Sequence, residues 1–252
     1  MGENMIKVVV NGALGKMGRQ VVEAITSTTD LYLDKEMDAH NDLNAYLKEN
    51  KVDVVVDFTR PEARMATIRA ILNNGASAVI GTTGFTPDDL IEVDDLVKKN
   101  GVGAIIAPNF AIGSILQMHF AKLAAKYFDT AEIIEYHHNQ KADSPSGTAI
   151  KTAELMIEAA PDKVFNQELG DKVENLAGCR GGQMKGIRIH SVRLPGMIAH
   201  QEVIFGEKGQ YLTLRHDAVS RESYMPGVLL AIREVINTKQ LIYGLENILD
   251  IK

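Results

Sequence analysis

Cysteine is almost missing: Cys179 is the only one in 252 residues, so no internal disulfide can form, and a reducing cytosol is the expected compartment. Long hydrophobic runs are missing too. The longest are about ten residues or fewer, well short of a bilayer-spanning helix. No charged-then-apolar leader opens the chain, and Ile6 stands where a myristoylation signal needs Ser or Thr. Cations are not in excess, with 27 Lys and Arg against 33 Asp and Glu, a net charge of −6. That balance argues against nonspecific nucleic-acid binding, which depends on clustered positive charge. There is no internal repeat and no low-complexity segment. The expectation is a soluble cytoplasmic protein with neither nucleic acid nor membrane as a partner. What is present is ordinary globular usage, 45% apolar and 24% charged. A chain of this length makes one large or two modest domains and buries about 70–75% of its unfolded surface, with no need of a metal or disulfide staple.

Over the first 110 residues two periods alternate. Short β-branched runs at Ile6–Val10, Val52–Val56, Ala78–Ile80 and Ala104–Ile106 predict strands apolar on both faces, the kind found in parallel sheets covered by helices. Helical patterns lie between them, at Lys16–Thr26 and at Pro61–Asn74. Thr59 and Glu62 have capping-box spacing before the second, Pro61 sits just inside it, and Gly75 follows its end. The same start signal recurs at Thr86-Pro87-Asp88-Asp89. This is a Rossmann-like doubly wound α/β pattern with a parallel sheet.

Beyond Asn109 the rhythm changes. A helix over about Ile112–Phe128, a strand over Glu132–His138 and a helix from Thr148 precede a Gly-rich stretch, Ala177–Gly186, expected to be a mobile loop. Strands follow at Ile187–Leu194, Ala199–Phe205 and Tyr211–His216, the last two joined by the turn Gly206-Glu207-Lys208-Gly209. These predict a second α+β domain with an open mixed sheet. The final helix, Ser220–Asn237, is long enough to return to the first domain. The expected division is 1–109 with 219–252 for dinucleotide binding, and 110–218 for substrate binding and oligomerisation.

Three segments of the first domain suit a nucleotide. The first strand runs into Gly12-Ala13-Leu14-Gly15-Lys16-Met17-Gly18, which opens a helix. Glycines at such a turn let the backbone approach a pyrophosphate, whose charge meets the free N–H groups of the helix start. Asp38, twenty residues beyond Gly18, is placed to take the adenine ribose hydroxyls, with Asp34 and Glu36 as competitors. Ala39 follows it, so no arginine is adjacent to offset a 2′-phosphate, although Lys16 could; NADH is expected to serve at least as well as NADPH. Gly81-Thr82-Thr83 and Ala107-Pro108-Asn109-Phe110 follow later strands, at the edge where open α/β sheets bind ligands. Small and hydroxylated residues there leave room for a nicotinamide.

The densest chemistry lies between Glu132 and Ala149. His137 and His138 end a strand, Lys141 and Asp143 occupy a loop, and a helix begins near Ser146. Neighbours on a strand face opposite ways, so one histidine suits proton donation and the other a ligand contact. The helix start offers N–H groups at Gly147 and Thr148 to a carboxylate, and Lys141 adds a cation. No third ligand accompanies the two histidines, so no metal is expected. From Cys179 to Gln201 there is no acidic residue, while Arg180, Lys185, Arg188 and Arg193 are present, either a solvated or intersubunit face or a help in attracting an anion.

Taken together, Val10–Gly18, Asp57-Phe58-Thr59, Gly81–Gly84, Ala107–Phe110 and Glu132–Ala149 resemble the dihydrodipicolinate reductase (4-hydroxy-tetrahydrodipicolinate reductase) family of lysine and diaminopimelate biosynthesis. The last segment matches the family signature Glu-x-x-Glu-x-His-His-x-x-Lys-x-Asp-x-Pro-Ser-Gly-Thr-Ala without a mismatch, and the segment between the second and third strands is shorter than in many relatives. The resemblance implies His137 as catalytic proton donor and Lys141 as second catalytic residue. It implies His138, Gly147 and Thr148 as contacts to the carboxylates of a cyclic dicarboxylate substrate, with Ser146 at the same helix start. Gly12–Met17, Gly81–Thr83 and Ala107–Phe110 become the NADH or NADPH segments. A homotetramer built on Ile187–His216 is implied as well. Two other readings compete: another two-domain amino-acid-pathway dehydrogenase, for which Cys179 is a poor nucleophile, and a non-catalytic dinucleotide sensor, which would have no use for the His137–Thr148 cluster.

Overall fold

The computed structural model describes residues 5–167, 173–249 and 251. The chain folds into two compact units, Met1–Ile112 with Arg221–Lys252, and Gly113–Ser220.

In the first unit the elements run β1 (Ile6–Asn11), α1 (Lys16–Thr26), β2 (Leu31–Met37), α2 (Leu43–Glu49), β3 (Val54–Asp57), α3 (Arg64–Asn73), β4 (Ser77–Ile80), α4 (Pro87–Asn100) and β5 (Ala104–Ile106), and later α7 (Met225–Val235) and β11 (Leu241–Tyr243). The strands form a six-stranded sheet in the order β11-β5-β4-β3-β1-β2, every pairing parallel. Every residue of β3, β4 and β5 is buried, as an apolar parallel strand covered on both faces requires. The start of α4 is the expected capping box: the Asp89 N–H donates to Thr86 Oγ1 at 3.2 Å, and the Thr86 N–H donates to Asp89 Oδ2 at 2.9 Å. Gly75, at φ 76°, leads the chain out of α3 as expected.

The start of α3 differs from its sequence signal. Thr59 donates its hydroxyl to Asp57 rather than capping the helix, and the chain enters α3 through a 3-10 turn at Pro61–Ala63. Neither α2 nor β11 was expected. Leu47 is the one buried residue of α2, and β11 has three residues, so neither carries a readable period. The predicted last helix is a 3-10 turn, Arg221–Tyr224, followed by α7, which packs on α1 and on β3, β4 and β5.

The second unit holds α5 (Ile112–Ala124), β6 (Thr130–His137), α6 (Gly147–Ala159), β7 (Gly182–Met184), β8 (Ile187–Arg193), β9 (Ala199–Glu207) and β10 (Gln210–Ala218). Its mixed sheet has the order β10-β9-β6-β8-β7, with β6 and β8 parallel and the other pairs antiparallel. One face is packed on the two helices: Ala131 and Ile133 of β6, Ile187 and Ile189 of β8, and Val203 and Phe205 of β9 meet Ala121, Ala149, Ala153 and Met156. Part of the stretch expected to be a mobile loop is ordered as β7, paired with β8. Glycines at Gly181 (φ 68°) and Gly186 (φ 90°) make its corners, so the same composition that suggests a loop serves a short strand. The turn between β9 and β10 is Lys208-Gly209, shorter than expected because Gly206 and Glu207 stay in the ladder.

The first turn shows why its third glycine matters. A Cβ on Gly18 would lie 2.0 Å from the Gly12 carbonyl oxygen, so only glycine lets α1 pack this closely on the strand it follows. Gly18→Ala is expected to lower stability by about 1–3 kcal/mol through overpacking. Urea unfolding at neutral pH checks this, and an unchanged midpoint would mean that the close approach is not rigid.

Candidate active site

Each unit supplies a separate constellation. In the first, β1 ends at Asn11 and the chain turns at Gly12 (φ 83°), where a Cβ would meet the Phe58 carbonyl oxygen at 2.8 Å. The Gly12 and Ala13 N–H groups both donate to the Met37 carbonyl, tying the turn to the end of β2. Gly15 is the N-cap of α1. Among the described residues no side chain caps this helix, and its first turn holds no acidic residue. Its N–H groups are therefore left for an anion, which is what a pyrophosphate needs. Leu14, Gly15 and Lys16 are exposed, whereas Ala13 is buried. Lys16 and Met17 line a cleft of about 390 Å³ together with Phe58, Thr59, Gly81, Thr82 and Thr83.

The end of β3 carries a buried acid. Asp57 is inaccessible to solvent and accepts from Asn11 Nδ2 at 2.7 Å, Thr59 Oγ1 at 3.0 Å and Thr82 Oγ1 at 2.7 Å. Burial pushes its carboxyl up from the ordinary range, and neutral donors offset that only in part. The Thr82 hydroxyl is thus committed to Asp57, and Thr83 is the exposed hydroxyl of the pair. Phe58 lies so close to Gly81 that a Cβ there would come within 2.1 Å of the ring, and it packs on Phe110 at 5.7 Å between centroids. Phe58 thereby joins the Gly81 and Ala107–Phe110 segments. Ala107 and Phe110 are buried, Pro108 is exposed, and Asn109 Oδ1 accepts from the Ala111 N–H.

Asp38 follows β2 directly. Its Oδ1 accepts from the His40 N–H at 2.8 Å, and its own N–H donates to Asn41 Oδ1. This turn rims a hollow of about 460 Å³ lined by Ala39 to Asn44, Ala66, Thr67 and Ala70. Of the two competing acids, Asp34 is engaged by Lys7 and by the Tyr46 hydroxyl.

In the second unit His137 ends β6, with Glu135 two residues earlier on the same face. Glu135 is inaccessible to solvent, and its Oε2 lies 2.5 Å from His137 Nδ1. Arg193, beside His137 in the β6–β8 register, grips both carboxylate oxygens, at 2.9 and 2.7 Å. Burial alone would raise the Glu135 carboxyl; hydrogen bonds from His137, Arg193 and Ser191 outweigh it and hold the group at about 2. Lys141 Nζ contacts Asp143 at 2.6 Å. Ser146 caps α6, its Oγ accepting from the Ala149 N–H, while its own N–H donates to Glu135 Oε1 at 3.3 Å. Its polar groups thus serve the helix start and Glu135, and Gly147 and Thr148 carry the outward N–H groups. His138, expected to be the last residue of the strand, lies just beyond the end of β6, and its carbonyl accepts from the Lys141 N–H.

Glu135 and Arg193 were not expected as site residues. The Glu-x-His spacing that puts Glu135 under His137 is readable in a strand, but the Arg193 partner is set by register across 58 positions. The acid-free run around Arg193 is not an unmatched cationic face: Arg180 pairs with Glu132 and Arg193 with Glu135, both on β6. No helix among the described residues is long and apolar enough to cross a membrane. Nor do they hold a group of three or more His, Cys, Asp or Glu placed for a metal.

A parallel sheet of this order, with an uncapped glycine turn at its first helix, is the architecture of the dinucleotide-binding proteins. Within that class it belongs to the dihydrodipicolinate reductase family, whose N-terminal model matches residues 6–110 and whose C-terminal model matches residues 113–249. It is 47% identical to the 4-hydroxy-tetrahydrodipicolinate reductase of Listeria innocua, over 97% of this chain and 100% of that one. To the enzyme of that name from Desulfitobacterium hafniense it is 48% identical, over 97% and 99%. Its fold is similar to that of the dipicolinate-bound dihydrodipicolinate reductase of Paenisporosarcina sp. TG-14, with a TM-score of 0.88 and 42% identity over 97% of this chain and 100% of that one. Reductases of this family use a pyridine nucleotide.

The depressed Glu135 carboxyl has a definite sign. Its folded value lies below the unfolded one, so its contribution to stability is complete above the unfolded value of 4.5 and is lost as pH falls toward about 2. Between about pH 5 and pH 3, Glu135→Gln is expected to lose stability less steeply than the wild type. Urea midpoints across that range measure it, and parallel slopes would show that Glu135 does not titrate in this way.

Proposed function

We propose that the chain reduces 4-hydroxy-tetrahydrodipicolinate to tetrahydrodipicolinate with NADH or NADPH, and that His137 donates the proton. The observation that carries this reading is the contact between His137 Nδ1 and Glu135 at 2.5 Å, in the segment that also holds Lys141 and the start of α6. The names of its relatives support the substrate.

The turn from Gly12 to Met17 holds the pyrophosphate, Asp38 takes the adenine ribose hydroxyls, and Gly81–Thr83 with Ala107–Phe110 bed the nicotinamide. The glycine cradle and the uncapped helix fit such a group. When bound, the reduced nucleotide supplies a hydride. Asp38 favours a free 2′-hydroxyl, and Lys16 is the cation available to a 2′-phosphate; NADH therefore serves at least as well as NADPH. Lys141, His138 and the N–H groups of Gly147 and Thr148 hold the substrate carboxylates. Asp143, 60% exposed, keeps Lys141 in place until a carboxylate displaces it. Loss of water from the substrate leaves a conjugated cyclic imine. Hydride addition places an electron pair on that ring, and the proton from His137 Nε2 neutralises it. A positioned donor of this kind is worth about 10²–10⁴-fold, and holding both carboxylates adds the advantage of orientation.

We place the protein in the cytoplasm and propose a homotetramer assembled through the sheet of the second unit. The face of that sheet away from the helices, with Ile134, Tyr136 and Ile204, supports the assembly. Light scattering at micromolar concentration tests it, and a monomeric mass would refute it.

His137→Gln is expected to lower kcat at least about a hundredfold with NADH affinity retained. Lys141→Ala is expected to lower kcat and raise KM for the dicarboxylate. Steady-state NADH oxidation measures both; unchanged constants in either variant remove that residue from its role. In a thermal-shift panel, pyridine-2,6-dicarboxylate with either nucleotide is expected to raise Tm beyond the nucleotide alone. No added shift, together with no turnover, overturns the substrate assignment.

A further inference from the structure

Arg193 makes more contacts around the proton donor than charge neutralisation requires. Its Nη1 and Nη2 reach the two oxygens of Glu135, and the same Nη2 donates to the Asp143 carbonyl at 2.9 Å. Nη1 also donates to its own neighbour's carbonyl, on Val192. Asp143 in turn holds Lys141. One guanidinium therefore touches the partner of the proton donor and the loop that carries the substrate-binding ammonium. Its Nε is buried and finds no acceptor among the described residues, a cost that a solvated surface cation would not bear.

We propose that Arg193 is a positioning residue for both halves of the reaction: through Glu135 it fixes His137 with the proton on Nδ1, and through the Asp143 carbonyl it fixes the loop that presents Lys141. This rests on the function proposed above and names how its two key side chains are aligned. The chemistry follows from the fork. A carboxylate with no access to water must be paired, and the two parallel N–H groups of arginine match its two oxygens. Held as an anion, Glu135 accepts the Nδ1 proton of His137, so Nε2 is the ring atom that faces the substrate and carries the transferable proton. Lysine at position 193 would keep one positive charge but could not reach both oxygens and the carbonyl with a planar fork.

The test compares Arg193→Lys and Glu135→Gln with wild type, using full-length protein. The readouts are steady-state kinetics and the ¹⁵N chemical shifts of the His137 ring, which report the tautomer without substrate. Arg193→Lys is expected to lower kcat by about ten- to a hundredfold through misplacement and to raise KM for the dicarboxylate, because it loosens both contacts. Glu135→Gln is expected to lower kcat with KM almost unchanged and to redistribute the proton between Nδ1 and Nε2. NADH affinity stays at the wild-type value in both. A fall in Tm with wild-type kcat, KM and ring shifts would make the cluster structural only and overturn the proposal. Wild-type protein that oxidises no NADH with this substrate, yet shows a tautomer that depends on Glu135 and Arg193, would sink the substrate assignment and leave the positioning intact.

Discussion

The second unit's site is organised around a carboxylate that water does not reach. Glu135 sits on the helix-covered face of β6, where its neighbours at positions 131 and 133 are apolar core residues. A charge there is tolerated only if it is fully paired. Arg193 supplies a bidentate counter-charge, and the Ser146 N–H, the Ser191 side chain and His137 Nδ1 add further hydrogen bonds. Each partner is thereby fixed in its turn: the His137 ring, the N-cap of α6 and, through Arg193, the loop at Asp143. The demand for pairing made by one buried acid thus fixes the position of the side chains around it.

The first unit contains a buried acid whose partners are of another kind. Asp57 receives hydrogen bonds from a side-chain amide and two hydroxyls, with no cation among those donors. Burial consequently pushes its carboxyl up, whereas the arginine fork and hydrogen-bonded imidazole hold Glu135 down. Asp57 joins Asn11 at the end of β1, Thr59 beyond β3 and Thr82 beyond β4. It ties together three strand ends, two of which lead into the segments proposed for the cofactor. The one acid stitches backbone; the other aims a ring.

Most of this was legible in the sequence because it is local. The alternation of β-branched runs with capped helical stretches reads directly as a parallel sheet, and Thr86 and Asp89 cap α4 as their spacing implies. His137, Lys141, Ser146, Gly147 and Thr148 lie in one short segment, so the candidate site is readable as a cluster without any long-range pairing. Long-range pairings override local signals elsewhere. Thr59 leaves its capping-box position because Asp57 competes for its hydroxyl. Arg193 looked like one cation in a basic run because Glu135 lies 58 residues away and meets it only through the β6–β8 register. The Gly-rich stretch hid β7, since glycine serves a mobile loop and a tight strand corner equally well.

The helix starts differ in how far the chain itself closes them. The N-terminus of α4 is closed by reciprocal bonds between Thr86 and Asp89, with Asp88 a second acid in the first turn. Its partial positive charge is thus neutralised within the chain. At α1 the chain places Gly15 as N-cap and no acid in the first turn. At α6, Ser146 satisfies one N–H, and the first turn again contains no acid. Capping α1 with an internal carboxylate would make the helix more stable in isolation, but it would occupy the donors that a pyrophosphate needs. The same holds for α6 and a substrate carboxylate. The lack of a first-turn acid is shared with α3, α5 and α7, so it permits an anion at α1 and α6 without by itself marking a ligand site.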